Sequence, residues 1–263
     1  MTLTHPAYGQ LRQVTETAAV LLADNPGRMT LEGTNTWVLR APGRSDCVVV
    51  DPGPADKSHG RAIVEAVGGE IALTLITHRH HDHTGGIDRL AKVTGTAVRA
   101  KDPAFLRGSD VPLAHGEVIE AAGLRITVLG TPGHTADSVS FVLDDAVLTG
   151  DTILGAGTTV LDSRDGTLAD YLSSLDRLVE AGKGKALLPA HGPDHPDLEP
   201  VARYYIAHRH ERLDQVREAL RELGPDPGAL AVVRRVYADV DKRLWPAARS
   251  SVQAQLEYLR THG

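Results

Sequence analysis

The stretch Ile76-Thr77-His78-Arg79-His80-His81-Asp82-His83-Thr84-Gly85-Gly86 decides how this chain is read. Before it runs the apolar segment Ile71-Ala72-Leu73-Thr74-Leu75-Ile76, which reads as a buried strand. After it comes Ile87-Asp88-Arg89-Leu90-Ala91-Lys92, which reads as a helix. His78, His80, Asp82 and His83 therefore fall on one strand-to-helix turn. Neutral imidazoles and a carboxylate are the donors that a borderline divalent cation prefers. His78 and His80 are two residues apart, so on extended backbone they point to one side. Asp82 and His83 sit where the chain turns and are placed to serve a second cation beside the first. A lone surface histidine carries no such message; four donors fixed between a strand and a helix do.

Three further segments repeat the pattern of an apolar run followed by a metal-binding residue type. They are Thr131-Pro132-Gly133-His134-Thr135, Leu148-Thr149-Gly150-Asp151-Thr152 and Leu188-Pro189-Ala190-His191-Gly192. With the H-x-H-x-D-H turn, these motifs make most of the chain resemble the metallo-β-lactamase superfamily, the αββα metallohydrolases. The resemblance implies an α/β fold, two sheets packed as a sandwich with helices outside and metals at the rim. It implies that His78, His80 and His134 hold a first cation, that Asp82, His83 and His191 hold a second, and that Asp151 bridges them. Two Zn2+ ions are the expected cofactors, and iron or manganese suits the same donors. A hydroxide shared by the two cations is then the implied nucleophile, with Asp82 orienting it. No serine or cysteine nucleophile is required, and no G-x-S-x-G is present.

Two positions narrow the branch. Where the commonest zinc β-lactamases carry a cysteine ligand, this chain has Asp151, as in the glyoxalase II, lactonase and nuclease branches. β-Lactam hydrolysis is therefore expected as a side reaction at most. Where the flavodiiron oxidoreductases carry glutamate, this chain has His80, which argues against oxygen or nitric oxide reduction.

Bulk properties agree with a hydrolase of small substrates. The 263 residues suffice for one large domain and a small appendage, and 41% hydrophobic content supports a real core. The net charge of -6 gives no global field to attract nucleic acid. The single cysteine, Cys47, precludes an internal disulfide and, within Asp46-Cys47-Val48-Val49-Val50-Asp51, reads as a small core residue. Neither a signal peptide nor a membrane span is evident, so a cytoplasmic protein is expected.

Along the chain, Thr17 to Ala23 reads as a first strand, and Gly33-Thr34-Asn35-Thr36-Trp37-Val38-Leu39 leads into a second. The Cys47 strand exits through Asp51-Pro52-Gly53-Pro54. Asp51 resembles an aspartate that supports the metal loops in the family, and a turn-initiating role explains it equally well. Helices are expected over Ser58 to Val67 and Pro103 to Arg107. Ala97 to Ala100 reads as a short strand. Glu117 to Glu120 and Leu124 to Leu129 read as a hairpin around Ala121-Ala122-Gly123, and Ser138 to Leu143 with Ala146 to Leu148 as another. Thr167 to Glu180 shows apolar residues at helical spacing, with Thr167 and Asp170 forming a capping box. Asp197 to Glu222 reads as one long helix.

That long helix carries Tyr204, Tyr205, His208, Arg209 and His210. Tyrosine followed by histidine-arginine after the last ligand resembles one subgroup of the superfamily. It contains the mitochondrial single-strand endoribonuclease of this fold and relatives that cleave thioesters, and its members carry a helical, winged-helix-like C-terminal module. The expected division is a catalytic domain over 1–222 and a module over 223–263, joined at Gly224-Pro225-Asp226-Pro227-Gly228. Ala229 to Val240 and Ala247 to Arg260 read as two helices with Trp245-Pro246 between them. From Arg203 onward, 11 lysines and arginines face 8 acidic residues, a small basic lean that favours packing or a substrate lid over DNA binding. Tyr205, His208 and Arg209 are candidate substrate contacts. The expected partner is a small or carrier-bound acyl compound, a thioester, lactone or ester. Single-stranded RNA is the alternative, against which stand the net charge and only 4% aromatic residues.

Overall fold

A computed structural model describes residues 8–161, 165–224 and 226–262. Pro225 of the expected linker and the first seven residues lie outside them. Two sheets stack face to face. The first has six strands in sequential order: β1 (Leu11–Gln13), β2 (Ala18–Leu22), β3 (Asn35–Leu39), β4 (Cys47–Val50), β5 (Ile71–Leu75) and β6 (Val98–Arg99). β1 to β4 are antiparallel, and β5 and β6 continue in parallel with β4. The second sheet holds β7 (Val118–Ala121), β8 (Leu124–Gly130), β9 (Val139–Val142), β10 (Ala146–Gly150) and β11 (Ala186–Pro189). Its order is β11-β10-β9-β8-β7, with β10 and β11 parallel.

Alternate residues of the inner strands face two different cores, which is why these strands read as unbroken apolar runs. Val48 and Val50 of β4 point between the sheets and meet Ile126, Phe141 and Leu148. Cys47 and Val49 point outward to Ile63 and Val67 of α1 (Lys57–Val67) and Leu90 of α3 (Ile87–Thr94). In the other sheet Leu148 and Leu188 face inward. Val147 and Leu187 face Tyr171, Leu175 and Leu178 of α4 (Leu168–Ala181). Each fully buried side chain of this size contributes about 1.5–3 kcal/mol relative to exposure, so the double-faced strands fix the layer order.

Local signals place the element ends. Asp56 caps α1 by accepting from the Ser58 and His59 N–H groups, and Gly68 ends it in left-handed backbone. Thr167 caps α4, accepting from the Asp170 N–H at 3.0 Å while its hydroxyl donates to the Asp170 carboxylate at 2.7 Å. The β7–β8 turn is Ala122–Gly123 alone, with φ of 49° and 73°, a pair that suits a two-residue hairpin.

Several expectations are corrected. The strand at Ala18–Leu22 is the second; Leu11–Gln13 precedes it, an edge too short and too exposed to show a pattern. Pro103–Phe105 is one turn of 3-10 helix capped by Asp102; it stops short of Arg107 because Leu106 is extended and the Arg107 backbone pairs with Val98. Trp245 and Pro246 begin α7 (Trp245–His262) rather than separating two helices, since proline is tolerated in a first turn. α6 (Ala229–Val236) stops before Val240.

α5 (Leu198–Leu223) is 26 residues long, about 39 Å at 1.5 Å per residue. Its first half packs Leu198, Ala202 and Tyr205 into the α4 core. Its second half packs Val216 and Ala219 against Val232, Val233, Val252 and Leu256 of α6 and α7. The C-terminal module is thus mounted on the same rod that closes the sandwich, and its described residues form helices without a strand. No helix among the described residues is long and apolar enough to cross a membrane.

Candidate metal centre

Four strand ends converge at one rim. β5 leads into His78 and His80, and the short helix α2 (His81–Thr84) carries Asp82 and His83 on its first turn. β8 leads to His134, β10 to Asp151 and β11 to His191. Glycines permit this crowding. A Cβ on Gly133 (φ 135°) would lie 2.5 Å from the backbone of Tyr171, and one on Gly150 (φ 52°) would lie 2.8 Å from Thr77. The first sheet grips the rim of the second. The Asn35 amide donates to the Pro189 and Gly192 carbonyls at 3.0 and 2.9 Å, and the Trp37 indole donates to Pro189 at 3.0 Å.

The seven residues anticipated from sequence meet here in two groups. His78, His80, His134 and Asp151 form one, and Asp82, His83 and His191 the other, with the donor atoms in each within 4.8 Å of one another. In the first group, His80 Nδ1 lies 3.0 Å from both His78 Nε2 and His134 Nε2. Asp151 touches both groups: Oδ2 is 3.5 Å from His134 and 3.9 Å from His78, and Oδ1 is 3.3 Å from His191 and 3.6 Å from His83. Asp82 Oδ2 lies 3.2 Å from His191 and 3.4 Å from His83.

Outer hydrogen bonds aim the rings. His134 Nδ1 donates to the Val160 carbonyl at 2.9 Å, and His191 Nδ1 to the Gly33 carbonyl at 3.0 Å. His83 Nδ1 donates to Asp51 Oδ2 at 2.9 Å. Thr77 Oγ1 gives its proton to the same carboxylate at 2.6 Å, so it accepts from His78 Nδ1 at 3.1 Å. Asp51 therefore orients one imidazole of each group, directly or through Thr77. Its supporting role and its turn are both real: its backbone has φ of 53° at the end of β4. Thr36 donates to the Asp51 carbonyl at 2.7 Å and so accepts from His59 Nε2 at 2.8 Å. The chain His59–Thr36–Asp51 went unanticipated, because residues far apart in sequence with ordinary composition announce no shared bond. The carbonyls of Gly33 and Val160 carry no side-chain signal at all.

With these four Nδ1 nitrogens bound to oxygens, the Nε2 atoms of His78, His83, His134 and His191 turn toward Asp151. His83 Nε2, His191 Nε2 and Asp151 Oδ1 are buried and have no hydrogen-bond partner. Buried polar atoms are seldom left so. Nitrogens bound tetrahedrally at about 2.0–2.1 Å would stand about 3.3 Å apart, close to the 3.0 Å spacings in the first group. Both donor chemistry and spacing fit divalent cations.

The electrostatics say what the cations would replace. Burial, then the nearby imidazoles, holds His78 well below the usual histidine range, and burial with His134 lowers His80. Burial opposes charge on His83 and His191 too, but the carboxylates prevail. Asp151 and Asp51 raise His83, and Asp151 raises His191 to about 9. Burial would raise Asp151 and Asp82, yet the facing histidines hold both below the usual carboxylate range. A cation entering the second group displaces protons.

Beside the centre opens a cleft of about 300 Å³. His134 and Asp151 lie on one wall, Met29 and Val160 flank it, and Leu244 and Ala248 of the C-terminal module face them. The loop after Asp151 is tied across to α5 and, in the module, to α7. Tyr205 bonds the Leu154 N–H at 3.0 Å, Arg209 bonds the Thr159 carbonyl, and Ser250 bonds the Leu161 carbonyl at 2.9 Å. His208 and Arg209 line the cleft, joined by Arg28 and Arg212, which sequence reasoning missed. Tyr205 does not reach it. Its ring is buried between α4 and α5 and its hydroxyl bonds the Leu154 backbone, which ties down the loop. Arg209 is buried as well, with its guanidinium 5.0 Å from the centre of the Tyr171 ring, not in the surface ion pair typical of a helix arginine.

Sequence comparison agrees with this architecture. Residues 29–191 match the model of the metallo-β-lactamase superfamily, and residues 229–263 match that of the β-lactamase-associated winged helix domain. The chain belongs to the metallo-β-lactamase superfamily. It is 31% identical to a β-lactamase-like protein 2 homolog of Drosophila melanogaster, over 95% of this chain and 90% of that one. It is 29% identical to an atrochrysone carboxyl ACP thioesterase of Aspergillus novofumigatus, over 87% of this chain and 72% of that one. A β-lactamase domain protein from Burkholderia ambifaria shares the fold with a TM-score of 0.84 at 20% identity, over 99% of this chain and 90% of that one. The chain is thus a hydrolase-fold protein of this superfamily with a candidate histidine–aspartate metal site.

Proposed function

We propose that the chain is a dinuclear metal-dependent hydrolase of thioesters, lactones or esters, with Zn2+ as the resident cation. The observation that carries this reading is the cleft itself, a small cavity largely walled by apolar side chains that opens onto His134 and Asp151. Its 300 Å³ lies at the lower end of small-molecule sites and suits an acyl group. The thioesterase named among the relatives supports the same chemistry.

His78, His80, His134 and Asp151 would hold one cation, and Asp82, His83, His191 and Asp151 the other. Divalent cations held there would lower the pKa of bound water toward 7 and polarise the attacked carbonyl. Asp82 is the most accessible carboxylate of the centre, its side chain 28% exposed. Only its Oδ2 meets other described residues, which leaves Oδ1 to orient water and accept its proton. The loop following Asp151, held by Tyr205 and Arg209, and the face of α7 at Ala248 and Ser251 bound the acyl group and exclude solvent.

Single-strand RNA cleavage is the competing reading, since the same donors serve attack on phosphorus, and Arg28 and Arg212 at the cleft favour it. The apolar walls and the overall negative charge weigh against a polyanion. A parallel turnover screen of zinc-loaded protein decides between them, using acyl thioesters, lactones, a cephalosporin and single-stranded RNA. Thioester or lactone turnover is expected. Efficient, salt-sensitive RNA cleavage with no acyl turnover would replace this reading.

A further inference from the structure

Three arginines, Arg28, Arg209 and Arg212, line the cleft beside one carboxylate, Asp151. Arg209 is 3% exposed, and one of its amino groups bonds the Thr159 carbonyl. Its Nε–H is buried without an acceptor. Among the described residues no carboxylate lies within ion-pair distance of it. A guanidinium withdrawn from water in this way is costly unless something pairs with it.

The adjacent residue shows the same deficit. His208 Nε2 accepts a long bond, 3.5 Å, from Nε of Arg212. The proton of the neutral ring then resides on Nδ1, which is buried and has no partner. Arg212 bonds the Gln215 side chain at 2.8 Å and lies 4.9 Å from the Tyr237 ring centre, and among the described residues it has no carboxylate partner either. Arg28 lines the same cleft. Two orphaned buried donors on neighbouring residues of one cavity wall, backed by two more guanidiniums, point to an acceptor that arrives with the ligand.

We propose that Arg209, His208 and Arg212 form an oxyanion subsite that receives a terminal carboxylate or phosphate of the substrate, away from the bond being cleaved. A planar guanidinium matches either oxyanion geometrically. The apolar part of the cleft wall, with Val160, Leu244 and Ala248, accommodates a hydrocarbon stem. The substrate is then an acyl compound that bears an acidic group at its far end. This rests on reading the cleft as the hydrolytic site, but the subsite itself is tested by binding.

Calorimetric titration of the zinc-loaded protein would use straight-chain dicarboxylates from succinate to suberate. Monocarboxylates and ω-phosphonocarboxylates of matching length complete the set. Every probe offers one carboxylate to the metal end, so only the second charge reads the subsite. At the best length the dianion is expected to bind about ten- to a hundredfold more tightly than its monocarboxylate, the worth of a charge-assisted hydrogen bond. That advantage is expected to collapse in Arg209→Met, Arg212→Gln and His208→Gln with zinc content unchanged. If Arg209→Met does not fold, the other two variants decide. A purely structural role for Arg209 would weaken mono- and dianions alike. The carboxylate and phosphonate arms identify which oxyanion is taken. Equal binding of mono- and dianions by the wild type, or an advantage that survives both Arg212→Gln and His208→Gln, overturns the subsite. Loss of thioester turnover with the dianion preference intact would overturn only the acyl-hydrolase reading.

Discussion

Replacing Asp51 by asparagine tests whether one carboxylate organises both halves of the metal centre. Asparagine tolerates the positive φ of 53° at this position, so the backbone need not move. The chemistry changes sharply. Asp51 Oδ1 accepts from the Thr77 N–H at 2.8 Å, and Oδ2 accepts from Thr77 Oγ1 and His83 Nδ1 at 2.6 and 2.9 Å. An asparagine that keeps its oxygen on the Thr77 N–H turns an NH2 group toward two donors. His83 must then shift its proton to Nε2 or rotate, and in either case its lone pair leaves the centre. Thr77 loses its acceptor and no longer anchors His78. Charge-assisted hydrogen bonds are worth about 1.5–3 kcal/mol each, and losing an outer partner of a metal-binding histidine typically weakens metal affinity about 10–100-fold. The expected result is a loss of about that size in the second group, which His83 serves directly. A smaller loss is expected in the first, which feels Asp51 only through Thr77. Competition against chelators of graded affinity measures both steps, with circular dichroism reporting the fold. A folded Asp51→Asn that binds two zinc ions with wild-type affinity would refute the reasoning.

Other consequences are open to simpler tests. Elemental analysis of zinc-reconstituted, dialysed protein should give about two ions per chain, falling below one in Asp151→Ala, because that carboxylate faces both groups; a stoichiometry well below one in the wild type would contradict the two-metal assignment. Cys47→Ala should keep most of its activity at a cost of about 1 kcal/mol in stability, since the thiol is fully buried and burial pushes its pKa up to about 11. Asp82→Ala should lose activity by orders of magnitude, and a folded but inactive Cys47→Ala would defeat the water-nucleophile mechanism. His59 makes stability depend on pH: burial, only partly offset by Asp56, lowers its folded pKa to about 4 from 6.5 in the unfolded chain. The proton thus favours unfolding, so this contribution is complete above about pH 6.5 and is lost as pH falls toward 4, by about 3 kcal/mol in all. His59→Gln, which keeps a donor for Thr36, should show a correspondingly flatter acid limb in denaturant titrations; an unchanged limb would show that His59 is not the group.

That the seven candidate donors would gather at one rim was legible in the sequence because short, local spacing constrains them. His78, His80, Asp82 and His83 share one turn, and each remaining donor follows a strand that must end where the sheet ends. The two-faced strands also announced themselves, since Cys47 to Val50 can be apolar throughout only if both faces are covered. Helix α4 was marked by its apolar period and by Thr167 with Asp170. What the tertiary structure alone decided depends on contacts between distant segments. Tyr205 and Arg209 lie four residues apart on one helix, and both bond the loop after Asp151, yet only Arg209 also lines the cleft. Their roles follow from where the loop after Asp151, about fifty residues earlier, crosses α5. The same holds for Asp51, whose carboxylate meets Thr77 and His83 only because β4 and β5 run parallel and end together. Periodicity and motif spacing encode which face of an element is buried. They do not encode which backbone carbonyl or ring from another layer that face will meet, because packing sets that distance.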